Sequence, residues 1–178
     1  MGILFSENLK TLDGLFAHSL KSIYYAERQI VDSLPDMIGM ATNPELKAGF
    51  QQHLDESRNQ VTRLEQVFGM VNIEVEEGSC PAIDGLIKEA NATAGEIDDK
   101  SVLDAALTFS AQQIEHHEIA VYGTLVAWAK EMGREDVATI LAQTLAEERA
   151  TDEKLTTIAE GRINAAADRT INADLQTV

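Results

Sequence analysis

The sequence predicts an all-α fold, a four-helix bundle in which a long crossover between the second and third helices carries a short extra helix. Three observations lead there. Apolar residues recur at steps of three and four through four long segments, only three prolines interrupt 178 residues, and no alternating strand pattern occurs. At this length one domain can bury a sizeable core.

The first helix is expected at roughly 6–40. Its buried stripe runs Leu12, Phe16, Leu20, Ile23, Glu27, Ile30, Leu34 and Met37, and Pro35 should kink it or end it early. Asn43-Pro44-Glu45 then reads as an N-cap, a proline at the first helical position and an acid in the first turn. The second helix continues to about residue 71 through Phe50, Leu54, Val61, Leu64 and Phe68. From 72 to 100 the chain changes character, with Gly78, Cys80-Pro81, Gly85, Gly95 and Asp98-Asp99, and one short helical pattern around 82–93. Ser101 and Asp104 have the spacing of a capping box, so the third long helix is expected from about 101 to 132, with Gly133 as a left-handed C-cap. The fourth spans about 134 to 160 or beyond. Residues 1–165 therefore form the bundle, and 166–178 a polar tail that frays. Two hairpins joined by one long crossover is the ferritin-like arrangement of four helices.

Composition narrows the partners. A formal net charge of −16 argues against nucleic acid or an anionic membrane, because phosphate binding needs clustered Lys and Arg. No apolar run approaches the length of a membrane span, and the N-terminus lacks the pattern of a secretion signal. With the single cysteine Cys80, an internal disulfide is excluded and the cytoplasm is the expected compartment.

Acids interrupt the apolar stripes. Glu27 lies between Ile23 and Ile30, where an ionised carboxylate needs a cation, an arginine or water to offset its burial. His53 and Glu56, three apart, share a helix face, either as ligands or as a satisfied histidine beside a surface acid. The stretch QQIEHHEIAVYG sets Ala111, Glu115, Glu118, Tyr122 and Leu125 in one row, with His117 turned away and His116 at an intermediate angle. Tyr122 either hydrogen-bonds a carboxylate or fills core volume. In the last helix Leu141, Leu145, Glu148, Asp152, Leu155 and Ala159 form a seam broken by two acids, while Glu147 faces solvent or a neighbouring helix. All four long helices thus aim a carboxylate at or beside the core. Oxygen donors with one or two imidazoles suit iron or manganese, and no cysteine pair competes for zinc. His18, Trp128 and Met132 carry no site assignment; the last two read as core or interface.

YYAERQIVDSLP, FQQHLDESRNQVTRLEQVF, GLIKEAN, QQIEHHEIAVYGTL and TLAEERATDEKL, in that order, resemble the YciE/YciF-like stress-response proteins of bacteria, a ferritin-like group related in architecture to rubrerythrin. The resemblance spans about residues 4–165. It implies a ferritin-like bundle, a homodimer, a dinuclear metal site and a role in stress. By resemblance to rubrerythrin-like sites, Glu27 is the ligand from the first helix, Glu56 and Glu148 are bridging carboxylates, and Glu115 and Glu118 match the paired glutamates of the third. The chain departs from the usual Glu-x-x-His motifs: Asn59 follows Glu56 and Thr151 follows Glu148 at that spacing, while His53 and Asp152 stand on the other side.

The expected metal ligands are therefore Glu27, His53, Glu56, Glu115, Glu118, Glu148 and Asp152, holding two iron or manganese ions for oxygen, peroxide or ferrous-iron chemistry. The alternative is a non-catalytic dimeric bundle whose metal site is degenerate or empty. A storage cage is disfavoured, since the resemblance implies smaller oligomers. No rubredoxin-like cysteines are present to deliver electrons.

Overall fold

The computed structural model describes residues 9–168, and these contain helices and no strand. Five helices succeed one another: α1 (Leu12–Met40), α2 (Pro44–Met70), α3 (Pro81–Gly95), α4 (Lys100–Glu131) and α5 (Glu135–Ile158), the last continuing through one wide π-helical turn, Ala159–Ile163. The long helices close a ring in which α1 and α5 each pack on both α2 and α4, and α3 lies across α4 and α1. The crossover from Val71 to Asp99 carries the chain back along the bundle, so α2 and α4 stand diagonally and every adjacent pair is antiparallel.

Local chemistry sets the helix ends. Thr11 caps α1 through its hydroxyl, which accepts from Gly14 N at 3.1 Å, and residues 9–11 form a turn. The helix thus starts at Leu12, later than the expected residue 6; positions 6–8 lie outside the described residues. Pro35 does not end it. The helix runs on to Met40 because Leu34 and Met37, on either side of the proline, are both buried in the core. Asn43 Oδ1 accepts from Glu45 N and Leu46 N, and Pro44 occupies the first turn, as its sequence implies. Gly133 adopts φ +70 and ends α4, with Arg134 N donating to Ala129 O and Gly133 N to Lys130 O, a Schellman closure.

The expected capping box at Ser101 is overturned. Asp99 caps α4, accepting from Ser101 N at 2.8 Å and Val102 N at 3.0 Å. Asp104 is claimed by another helix: its carboxylate accepts from Thr42 N, Thr42 Oγ1 and Asn43 N at 2.8, 2.6 and 2.9 Å, tying the start of α4 to the start of α2. At the opposite end Arg134 donates to Met70 O at 3.1 Å. Replacing buried Asp104 with Ala strands two backbone N–H groups, so we expect a loss of roughly 2–4 kcal/mol, several degrees or more in a thermal melt, with Asp104→Asn losing less.

The crossover is pinned to α1. Gly78 N donates to Lys21 O at 3.0 Å, and a Cβ on Gly78 would stand 3.0 Å from the Lys21 carbonyl carbon, a close approach only glycine permits. Ser22 Oγ donates to Ser79 O, Tyr25 to Asp84, and Lys21 and Arg28 pair with Glu76 and Glu77.

Core residues follow the expected stripes: Phe16, Leu20, Ile23, Phe50, Leu64, Phe68, Leu107, Tyr122, Leu125 and Leu141 are fully buried. Leu12 and Ala159, near the ends of their stripes, are only partly buried, and so is Val61, because the inward row of α2 passes instead through His53, Ser57, Gln60 and Leu64. Each large apolar side chain taken from water stabilises by about 1.5–3 kcal/mol, which supplies the means to bury the polar groups at the centre. Residues 164–168 extend the last helix, and the expected tail beyond 168 lies outside the described residues. Among the described residues no helix is long and apolar enough to cross a membrane.

Candidate metal centre

Mid-height in the bundle, three of the long helices turn acids inward and α2 turns uncharged polar groups. Glu27 of α1, Glu115 and Glu118 of α4 and Glu148 of α5 are buried, together with His53, Ser57 and Gln60 of α2. One ligand atom from each of His53, Glu115, Glu118 and Glu148 falls within 4.8 Å of the others. Helical spacing explains the convergence: Glu115 and Glu118 are one turn apart on α4, facing Glu148 across the tightly packed α4–α5 hairpin.

Glu27 is held from the side. Tyr122 donates to its Oε1 at 2.5 Å, so the tyrosine is both core filler and hydrogen-bond donor. The Glu118 carboxyl lies beside Glu27, and the Glu115 carboxyl beside Glu148. His53 Nε2 stands 3.3 Å from Glu115 Oε1. Gln60 donates to Glu148 Oε1 and, at 3.1 Å, to Glu147 Oε2. Glu147 faces α2, clamped by Arg63 through two bonds of 2.5 and 2.6 Å.

Electrostatics follow from burial among like charges. Burial, then the neighbouring Glu148 charge, holds Glu27 and Glu115 well above the usual carboxyl range. Glu118 is raised likewise by burial, then by Glu27. Glu148 is pushed up to about 7 by burial, its hydrogen bonds from Glu115 and Gln60 opposing the rise. Tyr122 is raised well above the phenol range by burial, then by the charge of Glu27. His53 is driven down to about 4 by burial and is neutral at physiological pH. Burial thus disfavours the charged form of every one of these groups, a cost that a cation would offset.

Glu56 and Asp152 occupy the rim. Glu56 is half-buried and accepts from Gln52 Nε2 at 2.8 Å; Asp152 is half-buried, 3.4 Å from the exposed His116 Nε2. His53 is thus the imidazole inside the cluster, and His116 faces outward. His117 stands 3.5 Å from Cys80 Sγ under the crossover. Sequence reasoning missed Ser57 and Gln60. Stepping four, three and four from His53 reaches Ser57, Gln60 and Leu64, so the same helical row was present, but its polar members read as surface.

Several buried atoms have no partner in the protein: Glu27 Oε2, Glu115 Oε2, both oxygens of Glu118, Glu148 Oε2 and His53 Nδ1. Buried polar atoms are otherwise almost always satisfied. Hard oxygen donors with one imidazole fit iron or manganese. Beside the cluster lies a cavity of about 190 Å³, walled largely by apolar side chains from all four long helices and reaching His53 and Glu115 at its inner end.

The family described as a domain of unknown function (DUF892) matches residues 11–168. The chain is 39% identical over 162 residues to Protein YciF of Escherichia coli (strain K12), covering 90% of this chain and 98% of that one. Among solved structures, the E. coli stress protein YciF superposes with a TM-score of 0.84 at 39% identity, covering 88% of this chain and 99% of the other. YcfI, a candidate structural protein of Rhodopseudomonas palustris, superposes with a TM-score of 0.83 at 52% identity, covering 86% and 98%.

Proposed function

Because the chain belongs to the DUF892 family of YciF-like stress proteins, we propose that its bundle is ferritin-like and holds two iron or manganese ions, in a cytoplasmic homodimer. The observation that carries this reading is the convergence of His53, Glu115, Glu118 and Glu148 within 4.8 Å, with buried carboxylate oxygens that no protein group satisfies. Four buried glutamates, Glu27 included, amount to four negative charges when ionised, the charge that two divalent cations neutralise. Glu27, His53, Glu115, Glu118 and Glu148 would hold the ions, with Glu56 and Asp152 as rim carboxylates.

Bound iron or manganese supplies Lewis acidity and one-electron chemistry toward dioxygen, peroxide or ferrous iron. The chain's own part is positional. Tyr122 fixes Glu27, Gln60 fixes Glu148, and Arg63 keeps the Glu147 charge outside the cluster. Because burial favours the protonated forms of Glu115 and Glu118, a cation held there would have to displace protons, coupling loading to proton loss.

Elemental analysis of protein purified without chelator, followed by anaerobic Fe²⁺ addition, tests this directly. About two metal equivalents per chain are expected. Well under one equivalent before and after addition would support the second reading, a non-catalytic scaffold whose carboxyls stay protonated; the burial of four glutamates beside one another, which raises their pKa values, favours that reading.

A further inference from the structure

The cavity of about 190 Å³ beside the cluster has a chemistry of its own. Ile30, Leu34, Phe50, Ile114, Leu155 and Ile158 form its walls. Apolar cavities of about 150 Å³ stay dry and admit benzene, so this one is large enough for a single small ring. Its inner end is polar. His53, which lines it, has Nε2 directed at Glu115 Oε1 and no partner for Nδ1. An imidazole whose Nε2–H faces a carboxylate leaves Nδ1 as an acceptor, and that acceptor is buried and unanswered.

The outer end is strapped by side chains alone. Lys154 Nζ donates to Gln52 Oε1 at 2.8 Å, and Gln52 Nε2 donates to Glu56 Oε1 at 2.8 Å, linking α5 to α2 across residues that line the mouth. Gly49 stands on the same wall, where a Cβ would meet only Ile158 Cδ1 and Lys154 Cε at ordinary contact distance. The mouth is thus closed by the side chains of Gln52, Glu56 and Lys154 and not by backbone.

We propose that this cavity binds a small, mainly apolar molecule bearing one hydroxyl, of about the size of phenol, with the hydroxyl donating to His53 Nδ1. The assignment concerns binding: in metal-free protein Nδ1 accepts from the hydroxyl, and with a metal on Nε2 it would carry the proton and donate to the hydroxyl oxygen instead. That such a molecule would be a substrate rests on the metal reading above.

Phenol is the probe and toluene its hydroxyl-free counterpart, titrated into full-length protein in chelator by ligand-observed NMR, then repeated with manganese present. Saturable phenol binding to metal-free protein is expected, roughly threefold to tenfold tighter than toluene. Gly49→Leu and Ala111→Leu fill the cavity from two different helices, and each should weaken phenol by at least about tenfold while retaining the wild-type circular dichroism. Gly49→Leu also gains helix propensity, which guards against a folding artefact. His53→Leu should bring phenol and toluene to similar affinity. Non-saturable phenol binding, equal binding by the folded filled variants, or wild-type toluene binding as tight as phenol overturns the proposal. A protein that takes up no metal yet binds phenol in this pattern sinks only the metal reading.

Discussion

Replacing Glu118 with Gln should raise the melting temperature of the metal-free protein at pH 8 and remove most of the rise that Mn²⁺ or Fe²⁺ produces in the wild type. Neither oxygen of Glu118 has a satisfying donor, and the side chain lies among Glu27, Glu115 and Glu148. Holding it there at alkaline pH demands either an ionised acid in a crowd of acids or a proton kept against the solution. An amide of the same shape carries no charge at any pH and offers a donor to the neighbouring carboxylates. For the wild type, metal at a hundred times its dissociation constant stabilises by about 2.7 kcal/mol, and a chain of this size gains roughly 2–4 °C per kcal/mol. A shift on the order of 5–10 °C is expected for the wild type and little for Glu118→Gln. Equal metal-induced shifts in the two proteins would remove Glu118 from the ligand set.

The metal-free wild type should lose stability as pH rises from 5 to 8, and manganese should reverse the trend. Glu27, Glu115, Glu118 and Glu148 all have folded-state pKa values above their unfolded ones. Between the unfolded value and the raised one, the folded protein binds more protons than the unfolded chain, so stability falls with increasing pH. For Glu148 the window runs from the ordinary 4.5 to about 7. At 1.36 kcal/mol per unit this group alone costs about 3 kcal/mol by the top of the window. His53 works the other way: its folded value is about 4 against 6.5 unfolded, so it adds stability as pH rises through that interval. One histidine opposes four glutamates, and the glutamates prevail. Metal competes with protons for the same oxygens, so loaded protein should be better stabilised at pH 8 than at pH 5. Chemical denaturation at several pH values, in chelator and in manganese, checks both slopes. A metal-free protein that is most stable at pH 8 would contradict the clustering of these acids.

How much of this was legible beforehand differs between elements. The four long helices and the crossover helix follow from apolar spacing, because burial of a stripe dominates helix formation in a bundle. Glu27, Glu115, Glu118 and Glu148 were legible for the same reason: they occupy positions where an apolar residue would otherwise stand. Glu56 and Asp152 were harder: Glu56 borders its stripe and Asp152 stands within its seam, and a small rotation of each helix decides between interior and rim. Gln60 and Ser57 escaped because an uncharged polar residue at an inward position gives no contrast with the surface. Asp104 escaped for a different reason. Its spacing from Ser101 mimics a local cap, whereas its partners, Thr42 and Asn43, are some sixty positions away and meet it only after the hairpins dock.

The diagonal crossover divides the centre between two halves of the chain. Glu27 and His53 arrive on the α1–α2 hairpin, and Glu115, Glu118 and Glu148 on the α4–α5 hairpin. Docking of the two hairpins forces these acids together, so a bound cation would also hold one half of the chain to the other.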